Sequence, residues 1–84
     1  METVTANEIY EGLTQVFRDV FRREGIVVTE QLAPADVKGW DSLKWVELVI
    51  EVETRFGIQC TSREVDALER AGDLAALIAS KRAA

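Results

Sequence analysis

Eighty-four residues, 48 % of them apolar and 30 % charged, with one proline and a formal charge of −5, suffice for one small core and leave no room for a second domain, so residues 1–84 are read as one unit. The acidic balance and the lack of any run of lysines and arginines exclude a reader of the nucleic-acid backbone and favour partners that carry basic patches. With no histidine and one cysteine, Cys60, the chain offers no internal disulfide, no Cys/His or Ser/His nucleophile pair and no ordinary zinc site.

The chain opens on the polar Met1-Glu2-Thr3, which lacks the basic and apolar regions of a signal peptide, and no later apolar run reaches the length of a membrane span. A cytoplasmic protein without membrane contact is expected. Thr5-Ala6-Asn7-Glu8 then reads as a capping box, in which the Thr5 hydroxyl serves the third helical amide and Glu8 reaches back. Behind it Ile9, Tyr10, Leu13, Val16, Phe17, Val20 and Phe21 fall within one arc of roughly 140° at about 100° per residue, the strongest amphipathic helix in the chain. Gly25 supplies its left-handed stop. Gly12 lowers helix propensity, and its position is read as chance rather than as a close approach between helices.

Ile26, Val27 and Val28 have the composition of a strand but no second strand to pair with, so they read as an apolar loop segment held against a helical bundle. From Thr29 to Trp40 the chain carries Pro34 and Gly39 and no helical period, which predicts a long structured loop anchored by Leu32, Val37 and Trp40. A second helix is predicted from Ser42 to Phe56. Lys44, Glu47, Glu51, Thr54 and Arg55 gather on one side of it, while Trp45, Val46, Leu48, Val49, Val52 and Phe56 form a wide apolar arc. Leu43 and Ile50 fall at the edge of that arc beside the acids. Gly57 closes the helix.

Thr61-Ser62-Arg63-Glu64 repeats the capping-box pattern and opens a short third helix with Val65 and Leu68 inward; Cys60 reads as a small buried apolar side chain. Gly72 and Asp73 are expected to end that piece and cap a last helix in which Leu74, Leu77 and Ile78 share a face. Lys81 and Arg82 suit its C-terminal end. The predicted fold is all-α, a small four-helix bundle with a short third helix and a long loop between helices 1 and 2.

No convergent set of catalytic groups accompanies this pattern, so the chain is not expected to be an enzyme, and no metal site is expected. The informative stretch is Gly39-Trp40-Asp41-Ser42-Leu43. It places a serine where a loop becomes a helix, and there the first amides lack partners and the dipole is positive. Asp and Ser are also the ordinary capping residues, so the tripeptide alone is a weak motif. Its continuation through Lys44-Trp45-Val46-Glu47-Leu48-Val49-Ile50-Glu51-Val52-Glu53-Thr54-Arg55-Phe56 is more specific.

This run resembles the acyl carrier protein family, whose attachment serine lies in an Asp-Ser-Leu sequence at the start of the second helix, followed by a Val-Glu-Leu-Val stretch and a terminal Glu-x-x-Phe. The order of the other helices matches as well. The resemblance implies that a phosphopantetheinyl transferase uses coenzyme A and Mg²⁺ to place 4′-phosphopantetheine on the Ser42 oxygen, with Asp41 orienting the serine. The thiol of that arm would hold acyl or polyketide groups as thioesters, and the reactive nucleophile would belong to the cofactor. It also implies partner docking through Leu43, Lys44, Glu47, Ile50, Glu51 and Glu53, with acyl-loading and ketosynthase-type enzymes as visitors to a monomer. Lys44, Thr54 and Arg55 stand where carriers of fatty-acid synthesis usually have acids, and Trp45 replaces a small residue, which points to a discrete carrier of a specialised pathway. Primary fatty-acid synthesis, an aminoacyl or peptidyl carrier and an unmodified helical interaction module remain the alternatives.

Overall fold

The computed structural model describes residues 5–83, so Met1-Glu2-Thr3 lies outside the described residues. These form four α-helices: α1 (Ala6–Phe21), α2 (Ser42–Phe56), α3 (Ser62–Asp66) and α4 (Ala71–Ala83). α1 packs against both α2 and α4, and α3 touches α2. The expected bundle with a short third helix is present.

α1 starts as its capping box requires: the Glu8 N–H donates to Thr5 Oγ1 and the Thr5 N–H donates to Glu8 Oε1, each at 3.2 Å. Its apolar arc faces inward, with Ile9, Leu13, Val16 and Phe17 buried and Tyr10, Val20 and Phe21 packed at the margin of the core. The helix stops earlier than expected. Arg22, not Gly25, takes the left-handed conformation (φ 56°, ψ 44°), and its N–H donates to the Arg18 carbonyl. The cause is tertiary: the chain must reverse at once so that Val28 reaches the core. Arg18 Nε donates to the Ile26 carbonyl at 2.9 Å, and Thr14 Oγ1 accepts the Val28 N–H at 3.1 Å. Of the apolar trio, Val28 is buried, Ile26 half-buried and Val27 exposed.

The long loop keeps its anchors, with Val37 and Trp40 buried and Leu32 against the core, and it also contains a 3-10 turn at Pro34–Asp36 that the lack of a helical period concealed. The same loop closes the start of α4. The Leu32 and Glu30 carbonyls accept the N–H groups of Ala71 and Gly72 at 2.8 and 3.1 Å, satisfying two donors that the helix itself leaves open.

Gly72 therefore lies inside the first turn of α4 rather than ahead of it, and Asp73 reaches back to accept the N–H groups of Glu69 and Arg70. A Cβ on Gly72 would sit 2.7 Å from the Glu30 carbonyl oxygen. Gly72→Ala gains helix propensity of up to about 1 kcal/mol. It should nevertheless destabilise the fold by about 1–3 kcal/mol, because backbone has to move; chemical denaturation measures the sign. Gly12 also lies at a close approach, but to a side chain rather than backbone: a Cβ there would meet the tip of the half-buried Phe56 ring at 2.6 Å, so this glycine lets α1 come close to the end of α2.

α2 spans Ser42–Phe56 as predicted and ends in Gly57 at φ 67°. Its buried side is narrower than the predicted arc: Leu48, Val49 and Val52 are buried, whereas Val46 is exposed. The second capping box is also formed, the Glu64 N–H donating to Thr61 Oγ1 and the Thr61 N–H to Glu64 Oε1. The Thr61 amide and Lys81, which reaches Glu64 Oε1 at 3.0 Å, hold the Glu64 carboxyl below its ordinary range and tie α3 to α4. Leu74 and Ile78 of α4 are fully buried and Leu77 is half-buried; Arg82 Nη1 donates to the Phe56 carbonyl at the end of α2.

Candidate functional site

Ser42 is the first residue of α2 and is exposed. The residue before it caps the helix: Asp41 is extended (φ −123°, ψ −168°) and its Oδ1 accepts the Lys44 N–H at 3.0 Å. Asp41 thereby satisfies one open amide, and Ser42, exposed and with no side-chain hydrogen bond among the described residues, sits at the positive end of the helix.

The loop reaches this point on a rigid footing. Gly39 turns the chain at φ 89°, a region in which a side chain is strained. Trp40 follows, 5 % exposed, with its ring edge-on to Phe17 at 5.1 Å and to Phe21 at 6.2 Å. On its other side Trp45 packs at 4.7 Å. An aromatic cluster drawn from α1, the loop and α2 therefore fixes the residue two places before Ser42. The Trp40 Nε1 is buried without a hydrogen-bond partner among the described residues, so its ring is held by packing, while its backbone N–H donates to the Val37 carbonyl at 3.2 Å.

The surface around Ser42 is of mixed character. Leu43, Val46 and Ile50 are 65, 47 and 54 % exposed, and their spacing along α2 places them on one stripe beside the serine. Val46 belongs to that stripe and was missed by the sequence reading; its position three residues after Leu43 and four before Ile50 was the available signal. Glu51 is exposed. Glu47 is half-buried and pairs with Lys44 at 3.3 Å, and Lys44 Nζ also stands 5.9 Å from the centre of the Phe21 ring. Glu53 is separate from these: it is half-buried, and its Oε2 accepts the Cys60 N–H at 2.8 Å, a contact that holds the segment after α2. Between α2 and α3 lies a small cleft of about 290 Å³ that touches Val46, Ile50 and Cys60.

Cys60 is half-buried, and its thiol is pushed up by burial and then by Glu53 and Glu64, which disfavours the thiolate. Among the described residues no group of three or more metal-ligating side chains converges, and no helix is long and apolar enough to cross a membrane.

An exposed serine at a capped helix start, presented by a buried aromatic anchor, is a place where a second protein can add a group without disturbing the fold. The family described as phosphopantetheine attachment site matches residues 11–78, most of the chain including this serine. The chain belongs to the acyl carrier protein family.

Individual carriers agree with this assignment. The holo acyl carrier protein of Geobacter metallireducens, solved by NMR in solution, superposes with a TM-score of 0.82 at 35 % identity, covering 89 % of this chain and 86 % of that one. The meromycolate extension acyl carrier protein of Mycolicibacterium smegmatis is 30 % identical over 74 residues, 88 % of this chain and 75 % of that protein. That of Mycobacterium bovis is 28 % identical over 89 % of this chain, which spans 65 % of its length. Ser42 and Asp41 fit the group that gives the family its description: the hydroxyl is open to a large enzyme, and the helix start favours the negative charge of a phosphodiester.

Proposed function

We propose that this chain is an acyl carrier loaded at Ser42 with 4′-phosphopantetheine. A phosphopantetheinyl transferase takes the group from coenzyme A with Mg²⁺. The Ser42 oxygen bonds to the phosphorus that carries the pantetheine, the pyrophosphate P–O bond of coenzyme A breaks, and adenosine 3′,5′-bisphosphate leaves. The proton of the Ser42 hydroxyl passes to a base of the transferase. Once attached, the group supplies a flexible arm ending in a thiol that holds acyl or polyketide chains as thioesters. The observation that carries this reading is the exposure of Ser42 at the first position of α2 directly after the Asp41 cap.

The protein's own residues present, orient and recruit; the chemistry on the cargo belongs to visiting enzymes. Asp41 holds the helix start in shape beside the hydroxyl, and the Trp40 cluster keeps that start from wandering. Leu43, Val46 and Ile50 offer an apolar contact of modest area, with Glu47 and Glu51 beside it to speed encounter with basic docking faces. Lys44 sets the geometry of Glu47, whereas Glu53 supports the loop at Cys60 and contributes less to docking. Trp45, unusual for carriers of fatty-acid synthesis, packs on Trp40 and so supports the site from within.

The cargo is assigned to a specialised pathway, with acyl-loading and ketosynthase-type enzymes as visitors in the cytoplasm. Relatives named for meromycolate extension support a role outside primary fatty-acid synthesis. Incubation with coenzyme A, Mg²⁺ and a promiscuous transferase should add a second titratable thiol to the one of Cys60. An acyl group loaded afterwards should be released by hydroxylamine in the Cys60→Ser variant as well as in the native chain, because the thioester is carried by the arm and not by Cys60. No gain of thiol with any transferase overturns the proposal.

A further inference from the structure

A groove of about 660 Å³, lined by Gly39 and Lys44 among others, runs between the end of α1 and the exposed side of α2. Its two walls carry opposite charge. Arg22 and Arg23 just after α1 and Lys38 just before Gly39 line one wall; Glu47 and Glu51 of α2 line the other together with Lys44, which pairs with Glu47 at 3.3 Å and leaves Glu51 as the acid there unpaired among the described residues, and Phe21 and Ile50 give it an apolar lining. Asp19 is the one acid on the basic side. Arg22 and Arg23 are neighbours in the sequence, and the fold brings Lys38, distant in the chain, to join them. No ion pair within the described residues engages Arg22, Arg23 or Lys38; Arg23 Nη2 donates to the Lys38 carbonyl at 3.0 Å and joins the two segments.

Arg22 gives an independent indication. Among the described residues it is the one non-glycine residue with a positive φ, at 56°. The only service its backbone performs, the N–H to the Arg18 carbonyl, is one that glycine would perform at lower conformational cost. A strained position that keeps a long cationic side chain aimed at a groove, with no internal partner, is a candidate for function.

We infer that this groove docks a surface segment of a partner enzyme that carries carboxylates opposite Arg22 and Lys38 and a cation opposite Glu47 and Glu51, with an apolar side chain between them. The inference rests on the carrier reading, since the partner comes for the arm at Ser42. An acidic helix alone attracts a basic surface but does not fix its rotation. Opposite charges across one groove do, because a partner turned end for end would meet like charge on both walls. The occupant is a protein segment rather than a single small anion: the cations are all exposed, lie on two segments and do not converge on one point.

The test uses the full chain loaded at Ser42 and an enzyme that demonstrably acylates it. Arg22→Glu/Lys38→Glu should lower kcat/KM about tenfold at low salt with kcat little changed, and should reduce the salt dependence of the association rate, because the altered charges act on encounter. Arg22→Gly should weaken association two- to threefold while raising the melting temperature, a pairing that a purely structural role does not produce. Reversing an acid on the partner's docking face should restore the double variant. An unchanged or raised kcat/KM in the double variant overturns the groove assignment, as does a dimer of this chain abolished by the same change, which would make a second copy the occupant. A native chain that gains no mass from the transferase overturns the carrier reading instead, so the two failures are distinguishable.

Discussion

Phe17→Ala should remove about 3–5 kcal/mol of stability, the largest loss expected from a single substitution in this chain. A chain of 84 residues at about 0.05–0.15 kcal/mol per residue has about 4–13 kcal/mol in total, so this variant approaches the unfolding threshold. Phe17 is fully buried and its ring is the surface on which Trp40 rests edge-on, with Phe21 at 5.9 Å beside it. Its loss opens a cavity and also releases the anchor of the loop that presents Ser42. The melting temperature should fall by roughly 15–30 °C, and Trp fluorescence should shift toward that of solvated indole. A loss below about 1 kcal/mol would show that the aromatic cluster is not close-packed and that the footing of Ser42 lies elsewhere. Phe21→Ala, at the half-buried margin, should cost clearly less.

Ser42→Ala should abolish loading and leave the fold intact. The hydroxyl is exposed, and the cap is made by Asp41, so the expected change in stability is within about 0.5 kcal/mol. Loading should nevertheless fall to zero, because no neighbouring hydroxyl replaces the lost oxygen. Asp41→Ala separates the two roles of this turn: loss of the N-cap should cost about 0.5–2 kcal/mol, and loading should be slowed rather than eliminated. Loading of Ser42→Ala at the native rate would place the attachment point elsewhere.

The parts of this molecule legible in its sequence are those set by local chemistry. Both capping boxes, the bounds of α2 and the anchoring of the loop by Val37 and Trp40 follow from side-chain spacing and turn chemistry within a few residues. The place of Ser42 at a loop-to-helix start was legible for the same reason, since that context and the run that follows it are contiguous. What escaped the reading depends on partners distant in the chain. Gly12 and Gly72 matter because Phe56 and Glu30 come close to them, and neither approach leaves a local mark.

The left-handed stop fell on Arg22 instead of Gly25 because Arg18 binds the Ile26 carbonyl and forces an early reversal, which overrides the preference of glycine for that conformation. Val46 shares the wide apolar arc of α2 yet is exposed, because a helical wheel shows which residues share a side but not how wide a side the neighbours cover. Glu53 shares the acidic character of Glu47 and Glu51, yet its carboxylate turns to the Cys60 amide, a contact between residues seven apart that composition does not show. The full basic wall was invisible for a related reason: Lys38 does not join the adjacent Arg22 and Arg23 until α1 and the loop are folded together.

The central claim is that one particular hydroxyl receives the arm, and the chain offers three serines, Ser42, Ser62 and Ser80, on which to test it. Ser62 is the closest control, being exposed and likewise first in a helix behind a capping residue. After loading with coenzyme A and a promiscuous transferase, tandem mass spectrometry of the intact chain should find a single phosphopantetheine group, on Ser42 alone. A group on Ser62 or Ser80, or a chain that stays at its unmodified mass, would contradict the account.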